Sequence, residues 1–227
     1  MPEIQIRYVL LDVDDTLYPP ATGMLQLLDA RIEAYLEQRF GLSKTEAAQL
    51  RTTYWRKYGT TLGGLLAEHR VEPAEYLAFI HDVPVDTLLH PDPALDRLLA
   101  RMRAEPVIFS NAAEAHVRRV LQRLGIAHRF RRLFYVENLD YVTKPRPEAF
   151  QRVLAALPAD PAACLLVEDS PANVQAAQAA GMHTVQVGMP FDPHSGIHSH
   201  ADYQIGDIHA LEQVLAELDL LAPSPEI

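Results

Sequence analysis

Residues 7–20 read RYVLLDVDDTLYPP, an apolar run that stops at three aspartates, Asp12, Asp14 and Asp15, with Thr16 behind them. A short segment that is apolar at successive positions, and so on both faces, predicts a strand buried on both sides, as in a parallel sheet. PVIFSN (106–111), FRRLFYVEN (130–138) and CLLVEDS (164–170) share this form, and HTVQV (183–187) completes the set. Helical patterns separate them. Strands alternating with amphipathic helices predict an α/β fold built on a doubly wound parallel sheet.

The helices are well punctuated. Asn111 with Glu114 reads as a capping pair opening NAAEAHVRRVLQRLG, with Gly125 as its stop, and Ser170 to Gly181 repeats the arrangement. Between the first strand and PVIFSN lie roughly ninety residues without a strand pattern, too many for a loop. They include TGMLQLLDARIEAYLEQRFG, a capping box Ser43/Glu46 ahead of AAQLRTTYWRKYG, and shorter helical patterns at TLGGLLAEHR and PAEYLAFIHD. The reading is an all-helical insertion over 18–88 in a main domain of 1–17 and 89–227. Proline-rich TLYPPATG and HPDP mark its hinges, and the tail LLAPSPEI reads as a frayed end.

Composition narrows the function. With 48% hydrophobic and 22% charged residues the chain is of the globular type, and a formal net charge of −10 argues against a nucleic-acid polymer or an anionic membrane as partner. A single cysteine, Cys164, fits a reducing compartment and reads as a small buried thiol. The N-terminus lacks the pattern of a signal peptide, so a cytoplasmic location is the expectation.

Polar residues concentrate at the predicted strand ends, where open α/β sheets gather their ligands. Asp12, Asp14, Asp15 and Thr16 follow the first strand, Ser110 and Asn111 the second, and Glu168, Asp169 and Ser170 a later one; Lys144 lies in YVTKPRPEAF, with Pro145 placed to open a helix. Four or five carboxylates beside one lysine cannot all stay ionised unless a cation joins them. Oxygen ligands alone favour a hard ion, Mg²⁺ above all, completed by water and a substrate phosphate. Ser110, Asn111 and the following helix start offer donors for that phosphate. The spacing of Asp12 and Asp14 could aim both at one substrate, one as nucleophile and the other as acid and base.

Taken together, DVDDT, the serine after VIF, the lysine of TKPRP and the acidic pair of LLVEDSPANV resemble the four motifs of the haloacid dehalogenase superfamily, in order and across essentially the whole chain. The resemblance implies a Rossmann-like core with a helical cap. It also implies Asp12 as nucleophile, Asp14 as general acid and base, Ser110 as phosphate ligand and Lys144 as the stabiliser of nucleophile and phosphoryl charge. Mg²⁺ would rest on Asp169, Glu168, Asp12 and the backbone carbonyl of Asp14, and Asp15 and Thr16 would add phosphate donors. Asn173 stands where the superfamily often has a second acid, and Asp15 where glycine is common. An acid at Asp14 implies hydrolysis, since dehalogenase members lack it.

The inserted segment, through DDTLYPPATG, RKYGTTLGGLLAEH and EYLAFIHDVPVDTLLHPDP, resembles the pyrimidine 5′-nucleotidase branch, with UMP- or CMP-like substrates. Tyr58, Gly59, Thr60 and Thr61 are its candidate substrate contacts; Tyr54 and Trp55 read as core of the insertion. The expected partner is thus a small-molecule phosphomonoester. Alternatives are a phosphatase of phosphoglycolate or a sugar phosphate, a phosphosugar mutase, or a non-catalytic binder of a phospho-ligand. His194, His198 and His200 read as a solvated loop, and His116, Arg118 and Arg119 as a solvated helix face.

Overall fold

The computed structural model describes residues 5–188 and 200–223. Among these, six parallel strands run β1 (Tyr8–Leu11), β2 (Glu105–Phe109), β3 (Arg132–Phe134), β4 (Cys164–Glu168), β5 (His183–Val187) and β6 (Tyr203–Ile205), in the order β3-β2-β1-β4-β5-β6. Strand order reverses at β1, which pairs with β2 through Leu11↔Ile108 and with β4 through Leu11↔Val167. A crevice therefore opens beyond the carboxyl ends of β1, β2 and β4.

Why β1 is central follows from its residues. Val9 and Leu11 join one apolar cluster and Tyr8 and Leu10 another, so alternate side chains fill both layers. Each buried valine or leucine there contributes roughly 1.5–3 kcal/mol. Among the described residues ten α-helices accompany the strands: α1 (Met24–Phe40), α2 (Lys44–Tyr58), α3 (Thr61–Glu68), α4 (Pro73–Ile80), α5 (Val85–Leu88), α6 (Pro93–Arg101), α7 (Glu114–Leu124), α8 (Pro147–Ala156), α9 (Pro171–Ala179) and α10 (Leu211–Glu217). Leucines and valines of α6, α7 and α10 fill the first cluster, and Phe150, Val153 and Ala177 of α8 and α9 the second, so the sheet is wound on both faces.

Helices α1 to α4 lie between β1 and β2 in sequence and build a third cluster around Tyr35, Leu36, Tyr54, Leu65 and Tyr76. The Ser43/Glu46 capping box forms in both directions. Met24, Leu28, Val83, Val85 and Leu89 pack instead with the first sheet cluster, so both ends of the helical segment are anchored in the layer below.

Several local readings change. FRRLFYVEN yields only a three-residue strand, because the Asn138 side chain binds Tyr135 N and Leu133 O and ends the ladder. β6 has the form YQI, too short and too polar in its middle to show as an apolar run. Glu114 is the first residue of α7 and its N–H donates to the Glu137 carboxylate, while Asn111 is engaged elsewhere. Pro147, not Pro145, occupies the first turn of α8. Leu220 is buried and Ala222 N–H donates to Arg101 O, so the tail begins docked; residues 224–227 lie outside the described residues, as do His194 and His198. Cys164 is buried and free. Among the described residues no helix is long and apolar enough to cross a membrane.

Candidate active site

The end of β1 is pinned by Asp12 N–H, which donates to Val167 O at 3.0 Å, and a tight turn follows in which Thr16 and Leu17 N–H both donate to Val13 O. Asp15 takes φ 56° inside that turn, a left-handed conformation that aspartate tolerates better than most residues. Asp12, Asp14, Asp15, Thr16, Ser110, Asn111, Glu168, Asp169 and Asn173 line one open cavity of ≈ 1960 Å³. Across it stand Trp55, Tyr58, Gly59, Thr60 and Thr61 of the helical layer.

Lys144 is the hub. Its side chain is 1% exposed and Nζ donates to Asp12 Oδ1 at 2.8 Å, Glu168 Oε2 at 2.6 Å and Phe109 O at 2.7 Å. Burial would strip its proton, but the charges and hydrogen bonds of Asp12 and Glu168 outweigh that and hold it above the ordinary lysine range. Asn111 positions the hub: its Oδ1 accepts from Lys144 N and its Nδ2 donates to Lys144 O. Its side chain thus holds the lysine segment, whereas the sequence had offered it to a phosphate. Ser110 Oγ accepts from Ala112 N at 3.1 Å, which leaves its hydroxyl hydrogen for an incoming anion.

Burial, then the charge of Glu168, pushes Asp12 up to about 7 despite Lys144. Burial, with Glu168 and Asp12 beside it, also drives Asp169 well above the usual carboxylate range. Asp12, Glu168 and Asp169 bring one oxygen each within 4.8 Å of one another. Three carboxylates against one ammonium are short of positive charge, and an all-oxygen donor set suits a hard divalent cation. Thr16 Oγ1 donates to Asp169 Oδ1 at 3.5 Å, and Gln186, fully buried on β5, donates to the Asp169 carbonyl.

Asp14 lines the same cavity but has other partners. The Tyr18 hydroxyl donates to its Oδ1, and His116 Nε2 lies 2.8 Å from that same oxygen. Burial alone would raise its pKa, yet His116 and Tyr18 hold it at about 2. His116 is only 1% exposed, so the solvated-face reading of α7 is corrected for this residue, while Arg118 and Arg119 are indeed half in solvent. A signal was available: His116 falls on the stripe Ala113, Val117, Val120, Leu121, Leu124, which at helical spacing faces the core. Tyr18, His81 and Gln186 were missed as well, the last hidden in a strand run that looked purely structural.

The helical side of the cavity is a docking surface as much as a lining. Gly59 ends α2 at φ 81°, and a Cβ there would lie 2.2 Å from Pro145 Cδ and 3.1 Å from Lys144 O. Thr60 Oγ1 lies 3.1 Å from Thr143 Oγ1 and caps Gly63 N. Tyr58 hydroxyl donates to Glu68, and Thr61 is buried. Tyr54 is buried core, while Trp55 is half-buried at the cavity.

Residues 6–181 match the family model described as haloacid dehalogenase-like hydrolase. The chain is similar to Phosphate metabolism protein 8 of Saccharomyces cerevisiae, 26% identical over 196 residues, covering 80% of this chain and 61% of that protein. It is also similar to Beta-phosphoglucomutase of Bacillus subtilis, 30% identical over 115 residues, covering 50% of this chain and 49% of that protein. It thus spans less than two thirds of the length of either curated relative. In fold it is similar to the HAD-hydrolase YfnB of Bacillus subtilis, a structure bound to magnesium, with TM-score 0.58, 21% identity and coverage of 93% of this chain and 99% of that one.

Proposed function

The chain belongs to the haloacid dehalogenase-like hydrolase family, and from that premise we propose that it is a Mg²⁺-dependent phosphatase of small phosphomonoesters, working through an aspartyl-phosphate on Asp12. One observation carries the reading: the buried Lys144 ammonium bridges Asp12 and Glu168 at the sheet rim, with Asp169 and the Ser110 hydroxyl lining the same cavity.

On this reading an Asp12 carboxylate oxygen attacks phosphorus while the ester P–O bond breaks, and Asp14 passes a proton to the departing oxygen. Arrival of the anionic phosphoryl group beside Asp14 raises its pKa, so the carboxyl that is ionised at rest takes up that proton as substrate binds. In the second step Asp14 removes a proton from water, the water oxygen bonds to phosphorus, and Asp12 is released with inorganic phosphate. Lys144 keeps Asp12 aimed and balances the charge it hands over, while Ser110 donates to a phosphoryl oxygen. Magnesium, held by Asp12, Asp169, the Asp14 carbonyl and Glu168, would neutralise the phosphoryl oxygens. Asp12→Asn should keep the fold and lose phosphate release; undiminished release by purified Asp12→Asn would end this mechanism.

For the substrate, the reading is a pyrimidine nucleoside monophosphate. It is supported by the resemblance of the inserted segment and by the Trp55 and Tyr58 rings along the cavity, flat groups able to stack on a base. A panel of phosphate esters tests it: UMP and CMP ranking below sugar phosphates and phosphoglycolate would refute it. Similarity to Beta-phosphoglucomutase favours a second reading, a phosphosugar mutase. Accumulation of isomerised ester in place of free phosphate would select it.

A further inference from the structure

His116 and His81 form a buried pair that the mechanism above does not use. His116 stands in the second layer behind Asp14, reaching it from α7, and its ring stacks on that of His81 with centroids 4.6 Å apart and planes at 33°. His81 closes α4 of the helical layer and is itself fixed, with Nδ1 2.9 Å from Leu77 O. The contact therefore joins three elements: the turn after β1, a helix of the sheet domain and a helix of the inserted layer.

We propose that His116 is the positioning residue of Asp14, and that His81, stacked on it from the helical layer, makes the aim of the acid depend on how that layer seats on the sheet. The inference rests on the phosphatase reading. Both described hydrogen bonds to the Asp14 carboxyl fall on Oδ1, so the other oxygen is the one left for the substrate. A carboxyl torsion is broad, and a single bond from Tyr18 would not fix it; two donors from different directions do. His116 also stands at a cost, because its buried Nδ1 has no partner among the described residues. A leucine would fit the apolar stripe of α7 without that orphan. The histidine at this place is explained by its Nε2.

The test compares kcat/KM, which reports the first chemical step, for an alkyl phosphomonoester and for p-nitrophenyl phosphate, whose phenolate leaves without needing a proton. His116→Leu should lower the alkyl ester roughly 10- to 100-fold, part of what a general acid contributes, and the nitrophenyl ester by only about 3-fold or less. KM for the nitrophenyl ester should fall with kcat, because the misaimed Asp14 also slows the water step that both esters share. His116→Gln keeps a donor near the Nε2 position and should recover most of the loss. His81→Ala should show the same ester selectivity more weakly, and His81→Phe, which keeps a flat ring, should lose less than His81→Ala. Equal losses on both esters, or His116→Gln no better than His116→Leu, would overturn the inference. If His116→Leu does not fold, the ester ratio of His81→Ala decides in the same way, and an unchanged ratio there sinks the proposal. Wild-type protein that releases phosphate from neither ester would instead remove the phosphatase reading beneath it.

Discussion

Asp12 and Asp14 stand two residues apart at the end of β1 and meet opposite surroundings. Asp12 looks into the sheet rim, where burial and Glu168 push it up to about 7 against the pull of Lys144. Asp14 looks toward the helices, where His116 and Tyr18 overcome burial and hold it at about 2. The backbone cannot set such a difference across two peptide units; the groups arriving from β2, β4, α7 and the lysine segment do. On the proposed reading the Asp12 side would take the cation and the phosphoryl group, and the Asp14 side would aim a carboxylate.

The largest way to break this contrast is Lys144→Met. Removing one partner of a pair buried at 1% exposure leaves Asp12 and Glu168 uncompensated and should cost about 3–5 kcal/mol in denaturant unfolding, with turnover lost. Adding Glu168→Met should return much of the stability and none of the activity. A single variant within about 1 kcal/mol of wild type would mean the lysine is not the charge hub. Next, Asp14→Asn should lower kcat by roughly 10²- to 10⁴-fold while inorganic phosphate still binds. Loss of phosphate binding together with kcat would put Asp14 on the same side as Asp12.

The Asp12 side was legible in the sequence because each of its groups ends or follows an apolar run: Asp12 after YVLL, Ser110 after VIF, Glu168 and Asp169 after CLLV. Topology then brings those ends together. The Asp14 side is less legible: Tyr18 lies only four residues on but nothing in its local pattern marks it as a partner of the acid, and His116 comes from a helix face far along the chain, where its place on the apolar stripe of α7 is the one signal. Asn111 shows the same limit in reverse: its place at a strand end was read correctly, but only packing reveals that its amide clasps the backbone of Lys144. β6 and the short β3 escaped because edge strands of three residues have no periodicity to display.

Gly59→Ala sharpens the comparison from the helical layer. At φ 81° and with a Cβ 2.2 Å from Pro145 Cδ, the variant should cost about 1–3 kcal/mol and push the lysine segment, lowering kcat roughly tenfold. Gly41→Ala is the control. It ends α1 at φ 68° with nothing within 4 Å, so it should cost about 1 kcal/mol in melting experiments and leave kcat alone. Equal kcat losses in the two variants would show that the contact with Pro145 does not matter.

The smallest effect separates the two carboxylates by pH. Asp12 is raised in the folded state, so the metal-free protein binds an extra proton between pH of about 4 and 7, and its stability falls as pH rises through that window. Asp14 is lowered, so its contribution is present above about pH 4 and is lost as pH falls toward 2. Magnesium must compete with the Asp12 proton below about 7 and not above it. Between pH 6 and pH 8 the competition is worth roughly tenfold in apparent affinity, or about 1 kcal/mol. At saturating Mg²⁺ the rise in Tm should therefore be roughly 3–6 °C larger at pH 8 than at pH 6. Asp12→Asn should shrink that difference to what the raised Asp169 carboxyl contributes, and His116→Gln should keep it, because the protons that magnesium displaces sit on the sheet side of the site and not on the helical side. An equal Mg²⁺ increment at both pH values would mean that Asp12 is already ionised without the metal, and the contrast between the two carboxylates would collapse to the aim of Asp14 alone.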